Sequence, residues 1–156
     1  MRLVTCYVRR APCDWHAACP TKGMATRHPR DLRCCQLADQ LRTQVVAICE
    51  RPAAASDRRF CDQFRAAAGS ACRNLAEGFR RFTSPAIVQF FDYALGSLGE
   101  IQDCLQESLT RRIITPEEFV TLSDLVEHAR AAALNFSRPH RRAGRNGPQP
   151  GRRRSS

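Results

Sequence analysis

The feature that most constrains this chain is a series of apolar stripes at helical spacing, with no strand-like alternation of apolar and polar residues to compete with it. The clearest stripe lies between residues 84 and 110, where apolar residues recur at intervals of three and four. It consists of Ile87, Phe91, Ala94, Leu98, Ile101, Leu105 and Leu109. An amphipathic helix with such a face needs neighbouring helices to cover it.

Two helices are predicted before this one. The first runs from about residue 31 to 51 and is expected to stop at Pro52. The second runs from about residue 56 to 81, with Ser56 as its N-cap. Their apolar stripes are Leu37, Leu41, Val45 and Ile48 in the first helix, and Phe60, Phe64, Ala67, Ala71, Leu75 and Phe79 in the second.

Helix-start signals place the third and fourth helices. Ser84 is expected to cap the third helix, with Pro85 at its first helical position. Thr115 and Glu118 have the spacing of a capping box and open the fourth helix, which is expected to end at Pro139. Its apolar face is Phe119, Leu122, Leu125, Val126, Ala129, Ala133 and Phe136.

Four helices with short connections predict an all-α fold, an up-down-up-down antiparallel four-helix bundle over residues 30–137. Residues 1–29 are expected to be a disordered N-terminal extension, in which Met24 offers an alternative translation start. Residues 138–156 combine arginine, proline and glycine without an apolar anchor, so we expect a disordered, Arg-rich tail.

The basic character of the chain belongs to its ends. The formal net charge is +10. Residues 1–23 carry four basic residues against one acid, and residues 138–156 carry seven arginines and no acid. The segment between them, 24–137, is therefore neutral, so the net charge does not describe a uniformly basic domain.

Nine cysteines, an odd number without a CxxC spacing, are predicted to be reduced and to act as small apolar side chains rather than as a disulfide framework. Zinc is the alternative for one group, since Cys13, His16 and Cys19 lie within seven residues and Cys6 precedes them. A structural zinc site usually needs a second pair of ligands across a loop, and none follows. No metal or cofactor is therefore predicted.

No catalytic constellation is recognisable, and we predict that the protein is not an enzyme. Di-iron bundles need Glu-x-x-His, which does not occur, and His128 is the only histidine in a predicted helix. A polar stripe with Asp92, Glu100, Asp103 and Glu107 is interpreted as a solvated face rather than a metal site. The chain lacks the run of ~20 apolar residues that a membrane span needs, so we expect a cytoplasmic protein with no membrane contact. No small-molecule substrate is predicted.

Two segments carry a family resemblance. Residues 70–79 read S-A-C-R-N-L-A-E-G-F and residues 90–100 read F-F-D-Y-A-L-G-S-L-G-E. They resemble the N-I-A-E-G-F and F-L-x-x-A-x-G-S-L-x-E signatures of the four-helix bundle proteins encoded by 23S rRNA intervening sequences, and Arg30-Asp31-Leu32 matches that family's opening R/K-D-L. The chain departs from the pattern at Cys34-Cys35, where the family has an aromatic residue, and at Arg73, where it has a proline.

The resemblance implies an up-down four-helix bundle that commonly forms a ring-shaped homopentamer and has no established enzymatic activity. Some relatives are accessory proteins of diversity-generating retroelements, which associate with a reverse transcriptase and with nucleic acid. The expected partner is therefore a further copy of the same chain, in a homo-oligomer.

The signature residue Glu77 lies roughly 140° from the apolar stripe of its helix, which turns about 100° per residue. Small Ala66 and Ser70, with Arg73, lie broadly on its side and would permit close approach of a second subunit. Gly96 and Gly99, two glycines within one turn, suggest a second place of close packing, and Gly96 lies on the polar stripe, away from the predicted core. The alternatives are a solvated, salt-bridged face around Glu77 and local tolerance of the glycines.

The predicted function is a non-enzymatic, homo-oligomeric scaffold or adaptor. The alternative is sequence-tolerant binding of RNA or DNA, in association with a reverse transcriptase. Such binding would use arginines of the second helix and of the tail. They are Arg73, Arg80, Arg81, Arg138, Arg141, Arg142, Arg145, Arg152, Arg153 and Arg154.

Overall fold

The computed structural model describes residues 27–145, and all regular elements in that range are helical. A single 3-10 turn, Pro29–Asp31, precedes the α-helices. The α-helices are α1 (Arg33–Cys49), α2 (Pro52–Ala55), α3 (Arg58–Phe79), α4 (Ser84–Thr110) and α5 (Pro116–Arg145). The predicted all-α fold is confirmed, and the expectations for residues 1–26 and 146–156 lie outside the described residues.

Four long helices pack together around the core, with α3 and α5 each contacting both α1 and α4. The predicted stripes form that core. Leu37, Leu41, Val45 and Ile48 of α1, Phe60 to Leu75 of the α3 stripe, and Ile87 to Leu105 of the α4 stripe are buried, as are Leu122, Val126, Ala129 and Ala133 of α5. Helical periodicity therefore identified the inward face of each long helix.

The core divides into two apolar clusters along the length of the helices. The smaller contains residues from the start of α1, the end of α3 and the start of α4. There Phe91 is fully buried and its ring stacks on Phe136 with 4.9 Å between centroids. The larger cluster contains Phe64, Leu41 and Ile101 among others.

The predicted capping box at the start of α5 is confirmed. The Glu118 carboxylate accepts a hydrogen bond from the Thr115 N–H at 2.9 Å, and the Thr115 hydroxyl accepts one from the Glu118 N–H at 3.2 Å. Glu118 also forms an ion pair with Arg51 at 2.7 Å. Hydrogen bonding from the Arg51 guanidinium lowers the pKa of Glu118.

Two predicted N-caps are wrong by one residue each, and the prediction for Pro52 is incomplete. Pro52 does not simply end the first helix but begins the short α2, because the first turn of a helix needs no N–H from proline. The N-cap of α3 is Asp57 rather than Ser56, since the Asp57 carboxylate accepts the Phe60 N–H at 3.0 Å. In α4, Ser84 is the first helical residue and not the cap.

The prediction that Pro139 ends the last helix is wrong, and with it the expectation of disorder from residue 138 onward, for the residues up to 145. Helix α5 continues through Pro139 to Arg145. Pro139 and Asn135 are both exposed, so water can solvate the Asn135 carbonyl that loses its partner. Beyond the proline, His140 and Arg141 contact α4 and hold the extra turns in place.

Candidate interaction surfaces

Ser70 lies in the seam between α3 and α4. Its hydroxyl accepts hydrogen bonds from the Ser97 hydroxyl at 2.9 Å and from the Asn74 amide at 3.1 Å. The residue is half-buried. Its polar group is therefore already engaged within the chain, on the side of α3 that faces α4.

Gly78 lies where α3 packs tightly against α4, and sequence analysis did not single it out. A Cβ atom at this position would lie 2.7 Å and 2.9 Å from two ring atoms of Phe91, and 3.1 Å from the Phe90 Cβ. Only glycine fits at that separation. The signal was available, because a glycine inside a helix often indicates close packing.

The outward face of α3 carries exposed Ala66 and Arg73. The Arg73 guanidinium folds back over Gly69, where its Nη1 lies 2.8 Å from the place a glycine Cβ would take. Glu77 pairs with Arg81 at 2.5 Å, and the ion pairs of the described residues do not join it to Arg73. Of the two arginines four residues away from Glu77, Arg73 and Arg81, only Arg81 therefore pairs with it among the described residues.

The outward face of α4 is open at Gly96. This glycine is exposed, and a Cβ there would meet nothing within 4 Å. Tyr93, one turn earlier on the same face, is 52% exposed. Gly99 is half-buried, with the Arg130 Nη1 4.0 Å from its Cβ position. Of the two glycines, Gly96 has its space free and Gly99 lies against α5.

The connection between α3 and α4 consists of Arg80, Arg81, Phe82 and Thr83, all exposed. The Phe82 ring is fully exposed. The Arg81 guanidinium lies 4.6 Å from the centre of the Phe90 ring, within the range of a cation–π contact. An aromatic side chain and two cations are therefore presented to solvent side by side.

The last turns of α5 bring more arginines to the same end of the helices. Arg141 forms an ion pair with Asp92 near the start of α4, and His140 lies 3.3 Å from the Ser84 hydroxyl. An open cleft of about 310 Å³ lies between these helix ends. We call this region the arginine end and define it as Arg80, Arg81, Phe82, Arg138, Arg141 and Arg142.

The structure thus brings together five of the ten arginines predicted to contact nucleic acid. Arg73 lies two turns before the arginine end on α3. Arg145 closes α5, and Arg152, Arg153 and Arg154 lie outside the described residues. The assignments of these residues to a subunit interface and to nucleic-acid contact stay predictions.

The six cysteines of the described range are all free thiols. Burial raises the pKa of Cys49 to about 12 and that of Cys104 to about 11. Both thiols are therefore protonated at neutral pH and are poor nucleophiles. Their role as small apolar core residues agrees with the prediction of reduced cysteines.

Within residues 27–145, no three histidine, cysteine or acidic side chains are placed to hold a metal ion. The alternative zinc ligands Cys6, Cys13, His16 and Cys19 lie outside that range. None of the helices described has the length and apolar content that a membrane crossing requires.

Comparison with known proteins adds one finding. A family model described as 23S rRNA-intervening sequence protein matches residues 30–134, which include both signature segments. No curated protein and no solved structure matches the chain.

Proposed function

The chain belongs to the 23S rRNA-intervening sequence protein family, and from this membership we propose that it is a non-enzymatic scaffold or adaptor that acts as a homo-oligomer. The proposal includes the up-down-up-down order of its four long helices. The single observation that carries it is the outward face of α4, where an open glycine lies beside an exposed tyrosine.

Contacts between helix ends support the proposed order. Arg51, just after α1, pairs with Glu118 in the first turn of α5. Arg111, just after α4, pairs at 3.0 Å with Asp57, the N-cap of α3. Each pair joins the end of one helix to the start of another, as expected for antiparallel neighbours.

The α4 face supports an assembly because its composition is costly for a helix that faces only water. Glycine in a helix interior costs about 1 kcal/mol relative to alanine. Gly96 bears this cost in the middle of α4, although nothing in the described part of the chain lies within 4 Å of its Cβ position. A second copy that packs closely at Gly96 and covers Tyr93 would account for both residues.

We expect Gly96→Gln to weaken the homo-oligomer while it preserves the monomer fold. Glutamine is a good helix former, so the substitution should stabilise α4 by up to about 1 kcal/mol. Its side chain would fill the space that a neighbouring subunit would otherwise use. Size-exclusion chromatography with light scattering measures the molar mass of the assembly, and thermal unfolding measures the stability of the fold.

Gly144→Gln is the matched control, because Gly144 is also a helical glycine with nothing within 4 Å but lies at the end of α5. This variant should assemble like the wild type. An unchanged Gly96→Gln oligomer would contradict the role of the α4 face, and a wild-type monomer at micromolar concentration would contradict the oligomer itself.

A second candidate function is sequence-tolerant binding of single-stranded nucleic acid at the arginine end, and the exposed Phe82 is the observation that favours it. Bases stack on aromatic side chains with about 1–3 kcal/mol per base, while neighbouring arginines contact the backbone phosphates. Phe82 follows Arg80 and Arg81 directly and has its whole ring available.

A gel-shift titration with single-stranded RNA tests this candidate on the full chain. We expect Phe82→Ala to weaken binding at least about fivefold, and the affinity to fall steeply with salt concentration. Arg80→Gln should weaken binding, whereas Arg58→Gln, the same change at the opposite end of α3, should not. Equal effects of the two arginine changes, or no effect of Phe82→Ala, would overturn the assignment to the arginine end.

A further inference from the structure

Charge is segregated between two adjacent helices. Helix α4, residues 84–110, contains four acidic residues and no lysine or arginine. Residues 58–81, which span α3 and its exit, contain six arginines against two acids, a net charge of +4. Although residues 24–137 together carry no net charge, helix α4 is acidic and helix α3 is basic.

Part of this charge is neutralised within the chain and part is not. Asp92 and Glu107 of α4 are paired with Arg141 and Arg111. The ion pairs found in residues 27–145 include no partner for Glu100 or Asp103. The same pairs leave out Arg59 and Arg73 of the outward α3 face, together with one acid of that face, Asp62. The partnerless charges are therefore acidic on the outward α4 face and mainly basic on the outward α3 face.

The two faces also match in spacing along the helix axis. On α3, small Ala66 has Arg59 seven residues before it and Arg73 seven residues after it. On α4, Gly96 has Asp103 seven residues after it. Seven residues bring a side chain back to nearly the same face and move it by about 10.5 Å. A contact that places Gly96 against Ala66 would therefore bring Asp103 beside an arginine of α3 in either direction.

We propose that the outward faces of α3 and α4 are the two complementary halves of one contact between copies of this chain, with the acidic α4 face of one copy docked on the basic α3 face of the next. This inference rests on the homo-oligomer proposed above and names its surfaces. The α4 half is Tyr93, Gly96, Glu100 and Asp103, and the α3 half is Arg59, Ala66 and Arg73.

A second copy is the occupant because each chain carries both halves on different helices. The seam between α3 and α4 uses other residues, including Ser70, Ser97 and Gly78. Within residues 27–145, no other part of the chain covers either outward face, so both are available at once. A contact between two different surfaces repeats from copy to copy, and it produces a ring if the rotation closes. The same pairing can also be made twice across a two-fold axis, where α4 of each copy lies on α3 of the other.

Charge reversal in the full chain tests the pairing. One variant combines Arg59→Glu with Arg73→Glu, and a second combines Glu100→Arg with Asp103→Arg. Either reversal places like charges across the contact, and we expect the dissociation constant to rise at least about tenfold. The chain with all four substitutions restores opposite charges, and it should assemble again. All four positions are exposed, so the substitutions should leave the fold intact. Far-UV circular dichroism checks that each variant is folded.

Light scattering separates the outcomes. Dissociation of both two-site variants and recovery in the four-site variant is the expected result. A wild-type oligomer that neither reversal weakens, or that the four-site variant fails to recover, would overturn this pairing and leave the proposed homo-oligomer intact. A monomeric wild-type chain would overturn the homo-oligomer and the pairing together.

Discussion

Replacing Phe91 with alanine is expected to lower the free energy of unfolding by about 3–5 kcal/mol. The Phe91 side chain is 0% exposed, stacks on Phe136 and packs against the backbone of Gly78. Its removal loses the apolar transfer energy and leaves a cavity where α3, α4 and α5 meet. Denaturant unfolding monitored by circular dichroism measures the change.

Phe82→Ala is the matched control, because it removes the same ring from a position where the side chain touches only solvent. We expect the free energy of unfolding to change by less than about 0.5 kcal/mol. Similar losses at Phe91 and Phe82 would show that burial at the start of α4 is not what stabilises the bundle.

The second large effect is expected at Gly78, where alanine should destabilise the fold although alanine is the better helix former. The gain in helix propensity is about 1 kcal/mol. Against it, the added Cβ would lie 2.7 Å from the Phe91 ring, which is fully buried and stacked on Phe136. Overpacking of this kind typically costs 1–3 kcal/mol. We expect a net loss of about 1–2 kcal/mol.

Gly96→Ala provides the comparison, because its Cβ would meet nothing within 4 Å. Only the propensity gain remains, and the free energy of unfolding should rise by up to about 1 kcal/mol. The measurement belongs at a protein concentration low enough for light scattering to report a monomer. A stabilising Gly78→Ala would mean that α3 and α4 separate more easily than their packing indicates.

The core could be predicted from the sequence because burial at helical spacing is a local property. The periodic stripes of α1, α3 and α4 became the buried faces, and the Thr115–Glu118 capping box formed as its spacing predicted. The end of α5 could not be predicted in the same way. Pro139 is a local stop signal, but the partners that extend the helix, Ser84 and Asp92, lie about fifty residues earlier in the chain.

The candidate surfaces were predictable only where they depended on one helix. The periodic pattern of α4 correctly placed Gly96 on the outward face. It could not show that Ser70 is hydrogen-bonded to Ser97 of another helix, or that any side chain at Gly78 would collide with the Phe91 ring. Nor could it predict that Arg80 and Arg141 lie at the same end of the bundle, since this depends on how α3, α4 and α5 are arranged.

The reactivity of the buried thiols can report where the helix bundle opens. Cys34 belongs to the smaller apolar cluster, whereas Cys49, Cys61 and Cys104 belong to the larger one. Cys35 and Cys72 are only half-buried. A thiol reagent can reach a buried sulfur only when the surrounding helices separate. The order in which the four buried sulfurs react would therefore show which end of the bundle opens first.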